Sequence, residues 1–541
     1  MGRISRLVLL YCFASLLAIS VIPLQLHGQA VYGAISGTVT DNNGAVVPNA
    51  TVTVTNVRKG TSDKTTTNDS GNYTVTHLIP DIYNVKVEAP NFNAAEMKGI
   101  QVSVDSIMRA DAQLAVGNVS TSVEVTAEAP QLQTERADVA TIFNERSVEQ
   151  LPIFNRNFTN FLLLSPGTTK MAWSHASSEN PQGSQQIFVN GQQFAGTAYE
   201  LDGTDNQDPI LGIIVVNPNL DSVTETKITS QNYDAEFGKA IAGVVTAQTK
   251  SGSNTLHGSA FEFRRSDVFQ ARDPFVNFQK DPITKKFLPD TLWNQFGGSI
   301  GGAAIKDKLF FFGDYQGTRE KTGNSFLQTV PTNLVRSTCL VPGTPCNLSE
   351  YPNQIFSGPA NARVAFPGNI IPANLISPQA INLLKQLPAP STSGTVGNFV
   401  ASGFGIFDRD GYDVRVDNST TQNLHIFGRY SYQRFNLSSV GAFGAAGGQG
   451  FGPGGFAGQS KTRNHSLSSG FDYSLSPTLI TDFRFGYFRY NVNVTPNGFG
   501  TQPMAAAGIP GINFDKTFTS GFSQLTVGDT NGSGNIPRKA G

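Results

Sequence analysis

Cys339 and Cys346 stand in the stretch TCLVPGTPC, with six residues between them. A pair that close in an exported loop reads as a small disulfide loop, the alternative being two free thiols. No histidine or further cysteine lies near enough to favour a metal site. Asp202, Asp205 and Asp208 crowd three carboxylates into seven residues, a density that would suit calcium. Gly203 and Asn206 are interleaved with them, and the other reading is a plain polar loop. His27, His77, His175, His257, His425 and His465 are scattered, with no His-x-x-Glu or His-Glu-x-x-His spacing for zinc. There is no Gly-x-Ser-x-Gly elbow with partners and no phosphate loop. Nothing in the chain supports an enzyme, and no cofactor or metal is expected. What remains is backbone chemistry. Val123, Glu124, Val125, Thr126 and Ala127 form an extended, alternating segment that can add itself as a strand to a partner's sheet edge. The plainer reading is a strand joining two domains.

These residues sit in a chain built for strands. Of 541 residues, Gly supplies 55, Phe 38 and charged residues only 15%. Thr, Val, Asn and Ser are abundant, which points to an all-β chain with many turns. The net charge of −1 gives no reason to expect nucleic acid. Arg3 and Arg6 precede an apolar run from Leu7 to Leu24, and small residues at Gly28 and Ala30 suit a peptidase cut. Residues 1–30 therefore read as a secretory signal, or else as an uncleaved anchor. No second apolar run of spanning length follows, so the mature chain crosses a membrane as a β-barrel or not at all.

Residues 31–117 alternate in short runs: Ile35 to Thr40, Thr51 to Thr55, Tyr73 to Thr76 and Tyr83 to Val87. Turns at Asp41 to Gly44, Asp69 to Gly71 and Ile79 to Asp81 separate them, the pattern of a small β-sandwich. Gly37, Val39, Asp41, Gly44, Pro48, Ala50, Val52 and Val54, then Thr67, Gly71, Tyr73, Leu78, Pro80, Tyr83, Val85, Val87 and Phe92, resemble the carboxypeptidase regulatory-like domain. Asp81 departs from the glycine usual after the proline. The resemblance implies a transthyretin-like or carbohydrate-binding-like sandwich, not peptidase activity.

Residues 118–251 carry ordered blocks: Val123 to Ala127, Leu151-Pro152, Arg156-Asn157, Leu162 to Gly167, Leu201-Asp202-Gly203, Ser222 to Glu225, Phe237-Gly238 and Ala242 to Gly252. Their order resembles the plug domain of TonB-dependent receptors. Departures are Asn155, where glycine is usual, and Thr246-Ala247-Gln248 in the closing block. The resemblance implies that Val123 to Ala127 is an energy-coupling box for a TonB-like periplasmic protein.

Residues 252–541 read as barrel. Phe261 and Phe263 alternate with Glu262 and Arg264. Tyr412, Val414 and Val416 alternate with Asp413, Arg415 and Asp417. Ile426 and Tyr430 oppose His425 and Arg429, Leu467 and Phe471 oppose Ser466 and Asp472, and Phe483, Phe485 and Tyr487 oppose Asp482, Arg484 and Gly486. Strands with one apolar and one polar face suit lipid outside and a wet lumen inside. Asn294 to Glu320 reads as a hairpin turning at Lys306 to Lys308. This hairpin, and Phe366 to Pro390, resemble features of Oar-like receptors. Val330 to Gly403 holds no clear strand, and Gly441 to Gly458 reads as a mobile Gly-rich loop. Seven or eight candidate strands follow Ser251, against about 22 in plugged barrels of this kind, so a fragment is expected.

The fold expected is mostly β: an N-terminal sandwich, a small α+β plug and a partial antiparallel transmembrane β-barrel. The function implied by resemblance is outer-membrane import of a scarce solute, an iron chelate, glycan or peptide, with a periplasmic N-terminal domain. The alternative is a surface adhesion or structural protein of the same architecture that does not transport.

Overall fold

The computed structural model describes residues 32–523, apart from 118–121, 127–135, 172–176, 272–284, 289, 360, 422 and 477–478. The expected signal segment, Ala127, His27 and His175 lie outside the described residues.

The N-terminal sandwich uses β1 (Gly33–Asp41), β2 (Thr51–Asn56), β3 (Ser62–Thr66), β4 (Asn72–Leu78), β5 (Asp81–Glu88), β6 (Ala94–Val102), β7 (Ile107–Arg109), β8 (Ala112–Leu114) and β9 (Ser122–Thr126). One sheet runs β4-β1-β7, with β8 also on β1; the other runs β3-β2-β5-β6-β9. Alternation puts Ile35, Val39, Val52, Val54, Val85, Val87 and Leu114 between the sheets, all fully buried. Each contributes roughly 1.5–3 kcal/mol of transfer free energy. Gly37 is required by a close approach: a Cβ there would lie 2.0 Å from the Ala110 carbonyl oxygen. That strand crossing is tied by the Tyr73 hydroxyl, which donates to the same carbonyl at 2.6 Å.

A central unit follows, with β10 (Val139–Phe143), β11 (Thr168–Lys170), β12 (Ile187–Val189), β13 (Thr197–Leu201), β14 (Thr204–Asp205), β15 (Val223–Gln231) and β16 (Gly243–Thr249). Its main sheet runs β10-β15-β16-β13-β14, with β13 and β16 parallel. The helix Glu145–Gln150, capped by Asn144 accepting from the Ser147 N–H, and the 3-10 segment Phe158–Leu164 close its core. Phe161, Leu162, Ile187, Leu201 and Val223 lie in that core, fully buried.

The third unit is a seven-stranded meander. Its strands are β17 (His257–Ser266), β18 (Thr291–Ile305), β19 (Leu309–Gln328) and, after four two-residue strands in a long connection, β24 (Phe399–Thr421), β25 (Leu424–Ser439), β26 (Gly458–Ser476) and β27 (Leu479–Pro496). The four short strands are β20 (Cys346–Asn347), β21 (Phe356–Ser357), β22 (Val364–Ala365) and β23 (Ile370–Ile371). The wall order is β17-β18-β19-β24-β25-β26-β27, every neighbour antiparallel. Its outer face carries half-exposed Tyr412, Val414, Val416, Ile426, Tyr430, Phe483, Phe485 and Tyr487, while Asp413, Arg415, Asp417, Arg429 and Gln433 are buried on the inner face. No helix among the described residues is long and apolar enough to cross a membrane.

The short steps from β18 to β19, from β24 to β25 and from β26 to β27 lie at one end, and the long connections 329–398 and 440–457 at the other. The sandwich sits at the tight-turn end. There the Asn254 amide donates to Asp307 at 2.6 Å and to the Lys59 carbonyl at 2.7 Å, and the Arg484 guanidinium lies 4.9 Å from the Tyr32 ring centroid.

Two loop expectations need correction. Residues 330–403 are not strand-free: β20 to β23 lie there and β24 begins at Phe399. Gly403 and Gly405 break the alternation that would have revealed that start; a Cβ on Gly403 would meet Phe451 at 2.5 Å. The Gly-rich segment 441–458, read as mobile, is folded, with Phe443, Ala446 and Phe451 buried. Its glycines supply positive φ at Gly444, Gly447 and Gly448, so the chain turns tightly around those phenylalanines.

Candidate functional site

The inner face of the wall is not open. The central unit lies against it, and polar side chains make the joint. At its centre is Asp202, the acid of the Leu201-Asp202-Gly203 turn, at positive φ just after β13. Its carboxylate takes the Arg415 guanidinium at 2.9 Å and the Arg429 guanidinium at 2.7 Å, all three side chains being essentially inaccessible. Its own unit holds it too: the Thr249 N–H and hydroxyl donate to it at 2.9 and 2.8 Å. Arg415 is shared with Asp417 at 3.0 Å, and Asp417 accepts from the Ser251 hydroxyl at 2.6 Å. Ser251 in turn accepts from Lys59 of the sandwich at 2.9 Å. All three units thus meet in one buried charge network.

A second set of contacts runs along the Asn217–Ser222 turn. Asn219 donates to Asp314 at 3.1 Å and, through its backbone N–H, to Asp413 at 3.2 Å. Arg409 donates to the Asn217 carbonyl at 3.1 Å, and Gln433 donates to the same oxygen. Nearer the long-loop end, Asn464 donates to the Val215 carbonyl at 2.8 Å and Ser460 to that of Ser178 at 2.6 Å. The wall has glycine where the central unit comes closest. A Cβ on Gly411 would lie 2.8 Å from Asn219, and one on Gly486 would lie 2.7 Å from Thr204.

Such a joint has a particular energetic character. Each hydrogen bond contributes a net ~0.5–1.5 kcal/mol, because water offers similar partners when it opens. An apolar joint of the same extent would resist opening at about 25 cal/mol per Å². A polar joint therefore fills the space while remaining separable.

The sandwich and the central unit share a further buried seam. Lys227 of β15 reaches Asp105 and Asp138, each at 2.7 Å. Glu225 accepts from the Val104 N–H at 2.6 Å. Burial pushes the Glu225 carboxyl up to about 7, outweighing the lowering effect of that N–H.

The sequence-singled residues fall in three places. Val123, Glu124, Val125 and Thr126 lie on β9, which pairs in parallel with β6, Ala95 opposite Val123 and Met97 opposite Val125. The segment is thus already a sheet strand, at the edge of the sandwich. Cys339 and Cys346 are bonded to each other and close the end of the helix Asn333–Cys339 in the long connection 329–398. They border an apolar cavity of about 430 Å³ shared with Ile376, Leu384 and Phe443. Asp202, Asp205 and Asp208 do not converge. Asp205 pairs with Lys239 at 2.9 Å, and Asp208 accepts from the Leu211 N–H at 2.6 Å.

Arg415, Arg429, Asn217 and Asn219 were missed as site residues. The signal for the arginines was present: a strand's polar face needs no arginine for water alone, and two at mid-strand call for buried acids. The described residues also bring the ligand atoms of His77, Asp472 and Asp482 within 4.8 Å of one another. Arg484 already occupies that cluster, 2.6 Å from Asp472 and 3.2 Å from Asp482.

A meander with an apolar belt outside, a polar face inside, tight turns at one end and long loops at the other defines a membrane β-barrel wall. A family model described as outer membrane beta barrel domain matches residues 248–540, and one described as carboxypeptidase regulatory-like domain matches residues 34–115. The chain belongs to the outer membrane beta barrel domain family, and its place is the outer membrane. It is similar to the TonB-dependent transporter Oar of Myxococcus xanthus, 25% identical over 303 residues, which cover 54% of this chain and 27% of that protein. The chain thus spans about a quarter of the length of that curated relative. Among solved structures it is similar to the outer membrane transporter YddB of Escherichia coli (12% identity, TM-score 0.40, 65% of this chain and 39% of that one). It is also similar to the ferric enterobactin receptor PfeA of Pseudomonas aeruginosa (13% identity, TM-score 0.32, 68% and 52%).

Proposed function

We propose that this protein is a TonB-dependent receptor that imports a scarce solute across the outer membrane, with the central unit, from β10 to Ser251, as its plug. The observation that carries the reading is the joint centred on Asp202. It closes the wall's inner face with buried but exchangeable polar contacts, as a removable plug requires. The long connections at the far end, including the disulfide-closed segment 329–398, are the surface for the incoming solute. Val123 to Ala127 is the coupling box for a TonB-like periplasmic protein, and among the described residues no strand pairs with β9's outer edge, which leaves that edge open to strand addition. Oar is described as a TonB-dependent transporter, which supports the same class. A disulfide cross-link tests the coupling. With Val125→Cys, a bond should form to a cysteine in the coupling protein's terminal domain, more strongly when solute is present. Absence of any cross-link in energised cells would leave the segment a plain linker and favour an adhesion or structural role.

A further inference from the structure

The outer face of the wall changes character abruptly near the long-loop end. Along β26, outward side chains run Tyr473, Phe471, Ser469 and Leu467, then His465, Arg463 and Lys461; along β27 they run Phe483, Phe485 and Tyr487, then Arg489, Asn491 and Asn493. The apolar part, from Leu479 to Tyr487, is nine residues of strand. With the usual tilt it stands roughly 20 Å high, close to the apolar band of outer-membrane barrels. The cations therefore begin at the level where lipid tails give way to head groups.

Arg434 of β25, Lys461, Arg463 and Arg489 are all exposed, and none forms an ion pair among the described residues. Register places Arg434 directly opposite Arg463, and His465 opposite Arg489. Like charges facing each other across a strand pair, as Arg434 and Arg463 do, are destabilising unless an anion sits between them. No Asp or Glu occupies an outward position on β25, β26 or β27 in this band. Asp410, across from Arg434 on β24, is held by Arg319 at 2.7 Å. Lys461, Arg463, His465, Arg489, Asn491 and Asn493 line a shallow groove of about 490 Å³.

Guanidinium groups match phosphate oxygens in a two-point fork, and asparagine amides suit sugar hydroxyls. We propose that this groove docks the phosphate groups of an anionic outer-leaflet glycolipid, fixing one molecule against the barrel wall. The proposal needs the long-loop end to face outward and is independent of what the receptor imports.

The test compares binding of the detergent-purified full chain to bisphosphorylated lipid A and to enzymatically dephosphorylated lipid A. Binding of the phosphorylated form should be tighter by about tenfold or more and should weaken with salt. The triple variant Lys461→Gln, Arg463→Gln, Arg489→Gln should lose that preference, while Lys321→Gln, on the same face of β19, should keep it. Equal binding of the two lipids by the unaltered chain would overturn the proposal, as would an unchanged triple variant. Displacement of the lipid by millimolar inorganic phosphate would also overturn it, marking a free-anion site. If the triple variant fails to fold, the comparison of the two lipids on the unaltered chain decides alone.

Discussion

Asp202 shows how one side chain can hold two units together without any apolar contact. Its carboxylate neutralises two guanidinium groups that the wall buries, and those groups have no route to water while the joint is closed. Asp202→Asn leaves Arg415 and Arg429 with one negative charge fewer between them. Removing one partner of a buried ionic group costs about 3–5 kcal/mol. The expected outcome is loss of that order in denaturant stability, with cleavage of the central unit by added protease at lower denaturant concentration. A change under about 0.5 kcal/mol, the range of ordinary surface substitutions, would mean that the joint is held elsewhere. In the sequence this aspartate was one of three near-equivalent acids. Spacing could not separate it from Asp205, because what distinguishes it is a pair of arginines more than two hundred residues away.

At the scale of elements, the seam between the sandwich and β15 responds to pH. The Glu225 carboxyl is pushed up to about 7 by burial, above its ordinary 4.5. Between those values the folded chain binds the proton more tightly than the unfolded one. Stability from this group is therefore full below about 4.5 and is lost as pH rises through about 7. Glu225→Gln keeps an oxygen for the Val104 N–H and has nothing to ionise. It should flatten the stability profile in this window, measured as unfolding midpoints from pH 4 to 8, and a slope unchanged from the parent would refute the assignment. The elements themselves were largely legible. Alternation marked the wall strands because lipid and a polar interior impose opposite demands on the two faces, as at Tyr412 to Asp417. It marked β9 as a strand but not its partner, since period two says which face a residue takes and nothing about which edge it joins. The two-residue strands β20 to β23 are too short to carry any period.

For the whole molecule, the separation of tight turns from long loops sets an orientation. The sandwich stands with the turns, so it faces the periplasm while 329–398 faces outward. Ser393→Cys lies exposed in that long connection and Asn43→Cys at an exposed turn of the sandwich. A membrane-impermeant maleimide should label the first in intact cells and the second only after the outer membrane is permeabilised. The reverse pattern would invert the molecule in its bilayer. That the chain divides into three units was readable from its motifs, but the way they interlock was not. Lys59, Ser251 and the Arg415–Asp417 pair come from three separate units, and each looks unremarkable in its own sequence window.

The ladder between β6 and β9 has a mechanical consequence. Five residues of β9 run parallel to β6, so their hydrogen bonds are evenly spaced and slanted the same way. A load along the strand axis stretches all of them together, as in a lap joint, whereas a load applied sideways at one end breaks them in succession, as in a zip. Tension on Ser122–Thr126 would therefore have two results. Drawn sideways, the strand peels off and the sandwich stays behind. Drawn lengthwise, it drags the sandwich along, and the Lys59 and Lys227 contacts to its neighbours bear the strain next.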